Sequence, residues 1–200
     1  MTETDTRKTI QVFEWTVKNQ ALMPPSFQDE LQINAIGLYA QAGEWERARQ
    51  QIIKARQLVA KMDSASFTLF LQAEETILAL FSGQIEEAEE IIRRSAEVLQ
   101  LIPMQRELGS FTVMRGICLY QRQERAKARR IVDEGVEVIR ATKFIPHLIY
   151  AVNNILLFLG TFGCDEEWER KYQKIWAALS EEYRFEYLKK SILSLISRPI

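Results

Sequence analysis

The stretch AGEWERARQQI, residues 42–52, decides the fold. Gly43 stands two residues before Trp45, and Ala48 follows Trp45 by three. No catalytic chemistry needs that spacing, but a helical hairpin does. A glycine lets the chain turn sharply, an aromatic plugs the gap at the start of the next helix, and a small residue lets two helices approach closely. The pattern returns when the chain is shifted by 40 residues. Gly43 falls on Gly83, Gln123 and Gly163, and Ala48 on Ala88, Ala128 and Trp168. Ile52 falls on Ile92, Val132 and Tyr172, and Leu38 on Leu78, Cys118 and Phe158. Val59 falls on Leu99, Ile139 and Leu179. The four copies need no gap.

Each copy reads as two helices meeting near the Gly column. In the first copy Trp45, Ala48, Ile52, Ala55 and Val59 fall at spacings of three and four, an amphipathic stripe. Phe67, Phe70, Leu71, Ile77, Leu78 and Phe81 do the same in the second. Break and cap signals separate the copies: Pro24-Pro25-Ser26, Asp63-Ser64, Pro103 and Pro146. One hairpin cannot bury its own apolar face, so the unit recurs and neighbours cover each other. The expectation is one all-α domain over residues 1–200, an α-solenoid of stacked antiparallel hairpins with about ten helices. Its repeats fall at about 24–63, 64–103, 104–143 and 144–180, between an N-terminal helix at 5–20 and a capping helix at 181–197.

Composition narrows the function. The chain has 200 residues, 47% of them hydrophobic, and a formal net charge of −1. Duplex binders normally carry a basic excess, so the count weighs against nucleic acid. Cys118 and Cys164 have no metal-ligand spacing around them, and two thiols suit a reducing compartment. The start, MTETDTRKTI, lacks an apolar signal core. Residues 144–160, FIPHLIYAVNNILLFLG, are short for a span of about 20 residues and contain Pro146, His147, Asn153 and Asn154. They read as a buried helix, with no membrane span, in a cytoplasmic protein.

Gly43-Trp45-Ala48-Ile52-Ala55 and Gly83-Ile85-Ala88-Ile92-Ser95 resemble the second-helix signature of the tetratricopeptide repeat, and Tyr39 matches its first-helix aromatic. The third copy keeps Gly116, Ala128, Val132 and Gly135 but has Gln123 at the turn; the fourth keeps Gly163 and has Trp168 for Ala. The family's period is about 34 residues, so each helix here gains about three residues, or roughly 4.5 Å. This long form is similar to helical arrays in bacterial signal-responsive regulators and secretion-associated chaperones.

The resemblance implies a concave groove lined by first helices. Carried over residue by residue, its partner-binding positions are Asn34 and Gln41 in the first copy and Phe70, Glu74 and Phe81 in the second. The third gives Met114, Tyr120 and Gln121, and the fourth Tyr150, Asn153 and Asn154. None is Lys or Arg, so the groove is not a clamp for a C-terminal carboxylate. Aromatic, aliphatic and amide side chains suit a peptide with apolar anchors. The expected function is a protein- or peptide-binding adaptor, not an enzyme, with no cofactor and no metal. The alternatives are a structural subunit of a homodimer or larger complex, or the sensor part of a bacterial transcription regulator.

Other features read as structural. The basic run Arg115, Arg122, Arg125, Lys127, Arg129 and Arg130 is a solvated helix surface, or a face for an acidic partner. In EEAEEIIRR, Glu89 with Arg93 and Glu90 with Arg94 are helix-supporting pairs. Cys118 falls on an apolar column and reads as an inert thiol, and His147 as a structural or surface histidine.

Overall fold

The computed structural model describes residues 25–163 and 165–179, together with residues 11, 14–16, 18 and 181. Among these there is no strand, and the fold is all-α. The helices are α1 (Pro25–Gln41), α2 (Trp45–Met62), α3 (Ala65–Phe81), α4 (Ile85–Leu101), α5 (Gln105–Gln121), α6 (Arg125–Ala141), α7 (Ile145–Phe162) and α8 (166–179). Residues 11, 14–16 and 18 are also helical, and most of the expected capping helix at 181–197 lies outside the described residues.

The turns set this rhythm. Backbone φ is positive at Gly43, Asp63, Gly83, Gln123, Lys143 and Gly163, one position in every 20. The missing member is residue 103, a proline, whose ring holds φ negative. Three turns are built alike. The Gly43 N–H donates to Ala40 O, and the Glu44 N–H reaches back to Tyr39 O at 2.9 Å. Gly83 with Gln84, and Gln123 with Glu124, repeat both bonds on α3 and α5. This is the Schellman closure, which satisfies the last carbonyls of a helix. The carbonyls of Glu44, Gln84 and Glu124 then accept from Ala48, Ala88 and Ala128, so one residue ends a helix and begins the next. A two-helix unit of 40 residues follows directly.

The chain forms two compact units, Met1–Lys143 and Phe144–Ile200, and the division falls between the third and fourth copies. In the first unit α1 packs with α2, α3 with α4 and α5 with α6. The first helices also form a row, α3 on α1 and α5 on α3, and α2 and α4 each pack on the helix that follows. The repeat columns are its core: Ala48, Ala88 and Ala128 are inaccessible, and Ile92, Val132, Leu78, Cys118, Val59 and Ile139 are buried. Hairpin α5/α6 is the tightest. A Cβ on Gly135 would stand 2.7 Å from both Gly109 O and Val113 N, and one on Gly116 2.9 Å from Val132 N. Hairpin α1/α2 is instead tied by a polar bond, Gln51 Nε2 donating to Gln32 O at 2.8 Å.

In the second unit α7 buries Leu148, Ala151, Val152, Ile155, Phe158 and Leu159. By length and composition alone this helix could cross a membrane, with 18 residues at mean hydropathy 1.4, of which 39% are buried. Helix α8 is capped by Asp165 Oδ1, which accepts from the Trp168 N–H at 3.2 Å. Trp168, Tyr172 and Leu179, the fourth-copy members of three columns, are buried.

Candidate partner-binding surfaces

The row α1–α3–α5 carries the first-unit positions expected to line a groove. Asn34 and Gln41 on α1, Phe70 on α3 and Gln121 on α5 are partly exposed. Gln121 Nε2 donates to Leu80 O at 3.4 Å, a long bond that joins α5 to the end of α3. Phe81, Met114 and Tyr120 are buried, Tyr120 at 5% exposure with the Arg125 guanidinium 5.7 Å from its ring centroid. Glu74 is fully buried. Its carboxyl carbon would be 3.1 Å from a Cβ at Gly37, so any side chain there would require the carboxylate to shift. The physical cause is crowding of α3, which packs on α1, α2, α4 and α5 at once. In the second unit Tyr150 and Asn153 are partly exposed, and Asn154 is buried. The Tyr150 ring lies 6.2 Å from that of His147, itself 6.4 Å from Phe144.

The charged features differ in their partners. Arg122 leaves the basic run to bind α4: its Nε donates to Glu89 Oε1 at 2.8 Å, and its Nη2 to Glu86 Oε1 at 3.2 Å. The expected Glu89–Arg93 pair is therefore replaced. Arg93 takes Glu90 and Glu97, because Glu89 points at the turn after α5 and not along its own helix. Glu90 does pair with Arg94, at 3.6 Å. Arg122 holds the Glu89 carboxyl below the usual carboxylate range. Lys127 is paired with Glu124 at 3.0 Å, whereas Arg115 and Arg130 are exposed. Burial, chiefly, pushes the Cys118 thiol up to about 12, the signature of an unreactive sulfur. Among the described residues no group of three His, Cys, Asp or Glu side chains is placed to hold a metal ion.

One surface was not anticipated. A cleft of about 300 Å³ opens where α2 meets α3 and the start of α4. Its α2 wall is Arg49, Ile52, Ile53 and Arg56, and its floor Leu78 and Ala79 of α3. Ile53 is 60% exposed. The sequence did carry a signal: position 53 is apolar where the next two copies have Arg93 and Asp133. At the cleft edge Arg56 Nε donates to Glu75 Oε1 at 2.7 Å. Compared with known proteins, the chain matches no family model, no curated protein and no solved structure.

Proposed function

We propose that the protein is a cytoplasmic adaptor, a tetratricopeptide-like solenoid that binds a protein or peptide along the row of its first helices. The observation that carries this reading is the row itself. Helices α1, α3 and α5 pack in succession, and the expected partner-binding positions on them that stay partly exposed are amides and an aromatic: Asn34, Gln41, Phe70 and Gln121. Amides can bond a peptide backbone, and a half-buried aromatic is a good anchor. The buried members, Tyr120 above all, support the frame. They are poor choices for a binding test, because truncating a buried aromatic costs about 3–5 kcal/mol.

The test is affinity capture from the native host with wild type and with an Asn34→Ala/Phe70→Ala/Gln121→Ala variant of equal helicity by circular dichroism. A partner held by wild type and lost by the variant is the expected result. Equal capture by both would move the site off the first helices. A second reading, a structural subunit, is favoured by α7, whose Ile149, Leu156 and Leu157 are apolar yet only partly buried. Sedimentation of a stable oligomer, lost on Leu156→Glu/Leu157→Glu, would support it.

A further inference from the structure

The cleft between α2 and α4 is a place where the repeat leaves a bond unmade. One copy later the same junction is closed. There the residue after α5, Arg122, bridges to Glu86 and Glu89 of α4. Forty residues earlier these three positions are Ser82, Glu46 and Arg49. Ser82 is too short to bridge and turns inward, its Oγ donating to Leu78 O at 2.8 Å. The acid is also exchanged for a base, since Arg49 stands where Glu89 stands. The apolar column shows the result: Ile92 and Val132 are buried, but Ile52 is partly exposed and lines the cleft with Ile53 and Leu78.

The charge of α2 says what fits. Five cations lie on this helix, Arg47, Arg49, Lys54, Arg56 and Lys61, against one acid, Glu46. Arg47 is engaged by Glu14 and Glu44, and Arg56 by Glu75. Arg49, Lys54 and Arg56 are all exposed around Ile53, and of these Arg56 is held by Glu75. On the opposite rim Glu87 of α4 repels an acid, so charge is complementary in one orientation only. Arg49, Ile53 and Arg56 are spaced at four and three, one face of a helix over two turns. A partner helix with an acid and an aliphatic residue one turn apart matches that spacing.

We propose that this cleft docks an acidic amphipathic helix of a partner protein, its aliphatic side chain between Ile53 and Leu78 and its carboxylate on Arg49. The site shares α3 with the row of first helices but uses none of Asn34, Gln41, Phe70 or Gln121. The probe is a phage-displayed library of short random peptides, selected on the full-length protein. The expected consensus is an acid three or four residues from Leu, Ile or Phe. Affinity should fall about tenfold or more on Arg49→Glu or Ile53→Arg, the scale of one charge-assisted contact. Selection on Arg49→Glu should turn the consensus acid into Lys or Arg, a change that misfolding cannot produce. Phe70→Ala should leave the affinity unchanged. Three results would overturn the proposal: no enrichment, peptides that bind both cleft variants as tightly as wild type, or an unchanged consensus on Arg49→Glu. Concentration-dependent dimerisation abolished by Ile53→Arg would assign the cleft to a second copy of the chain, and also overturn it.

Discussion

The two junctions between successive second helices and the turns beside them have the same repeat geometry and opposite chemistry. At the later one Arg122 reaches α4, and the thiol of Cys118 lies buried beneath. At the earlier one Ser82 reaches nothing on α2, and Leu78, the residue 40 positions before Cys118, floors an open cleft. The hairpins differ in the same sense. Backbones approach closely in α5/α6 at Gly109, Gly116 and Gly135, whereas α1/α2 is tied by the Gln51 side chain on Gln32 O. Repetition fixes the frame, and a few substitutions per copy decide which junction is sealed and which stays available.

The sharpest way to break the contrast is to crowd the tight hairpin. Gly135→Leu would force a side chain against Gly109 O and Val113 N, each 2.7 Å from the new Cβ. The expected loss is about 3 kcal/mol or more in urea unfolding, because backbone cannot move aside as a side chain can. Ala60→Leu, on the exposed face of α2, should change stability by less than about 0.5 kcal/mol. Equal costs at the two positions would show that the glycines do not set the packing.

A comparable effect, spread over pH, is the titration of Cys118. Burial raises its pKa in the folded chain from 9.0 to about 12. The protonated thiol is thus favoured by folding. Its contribution is complete below the unfolded value and is lost as pH rises through the folded one. Between about pH 9 and 12, stability should fall by up to about 1.4 kcal/mol per pH unit more in wild type than in Cys118→Ala. Parallel curves would mean that the thiol is not buried as described. The junctions can be compared with the same chemistry. In a Cys164→Ser background, Leu78→Cys with Cys118→Ala should react with a thiol reagent faster than native Cys118, since one site floors a cleft and the other lies under an ion bridge.

A smaller effect tests the turns. Gln123 holds φ at 66° where two other copies have Gly43 and Gly83. Gln123→Gly should stabilise the chain by up to about 1 kcal/mol, and Gly83→Ala should cost a similar amount. Both are read from unfolding midpoints, and a loss on Gln123→Gly would mean that the left-handed turn carries no strain.

Much of this frame was legible in the residues. The Gly column gives three of the six left-handed turns, and Ala48, Ala88 and Ala128 mark the close approaches. Asp63 was legible as a break, and Asp tolerates the left-handed region, whereas Lys143 carried no signal, because lysine is not a residue that turns favour. The surface was less legible. Asn34 and Glu74 share a column, yet one is partly exposed and the other is not. A helix packed on four others shows core and groove at one period, so spacing cannot separate them. Glu89 was misassigned to Arg93 for a related reason: local spacing proposes a partner, and a residue 33 positions away supplies a better one.

The smallest expected change in stability is the one that tests the comparison most directly. Ser82→Arg with Arg49→Glu copies the sealed junction into the open one, placing at 82 and 49 what stands at 122 and 89. Arg49 is exposed and Ser82 partly so, and an ion pair there adds little, so the unfolding midpoint should scarcely move. Peptides selected on wild type should no longer bind, because the new bridge between positions 82 and 49 covers the cleft and the cation they need is gone. High salt then separates the two causes. At about 1 M the screening length is about 3 Å, and an exposed bridge loosens. A peptide lacking its acid and relying on its aliphatic side chain should regain weak binding there if the bridge acts as a cover. If it does not, loss of Arg49 alone accounts for the change, and the ion bridge at Arg122 is only a local tie.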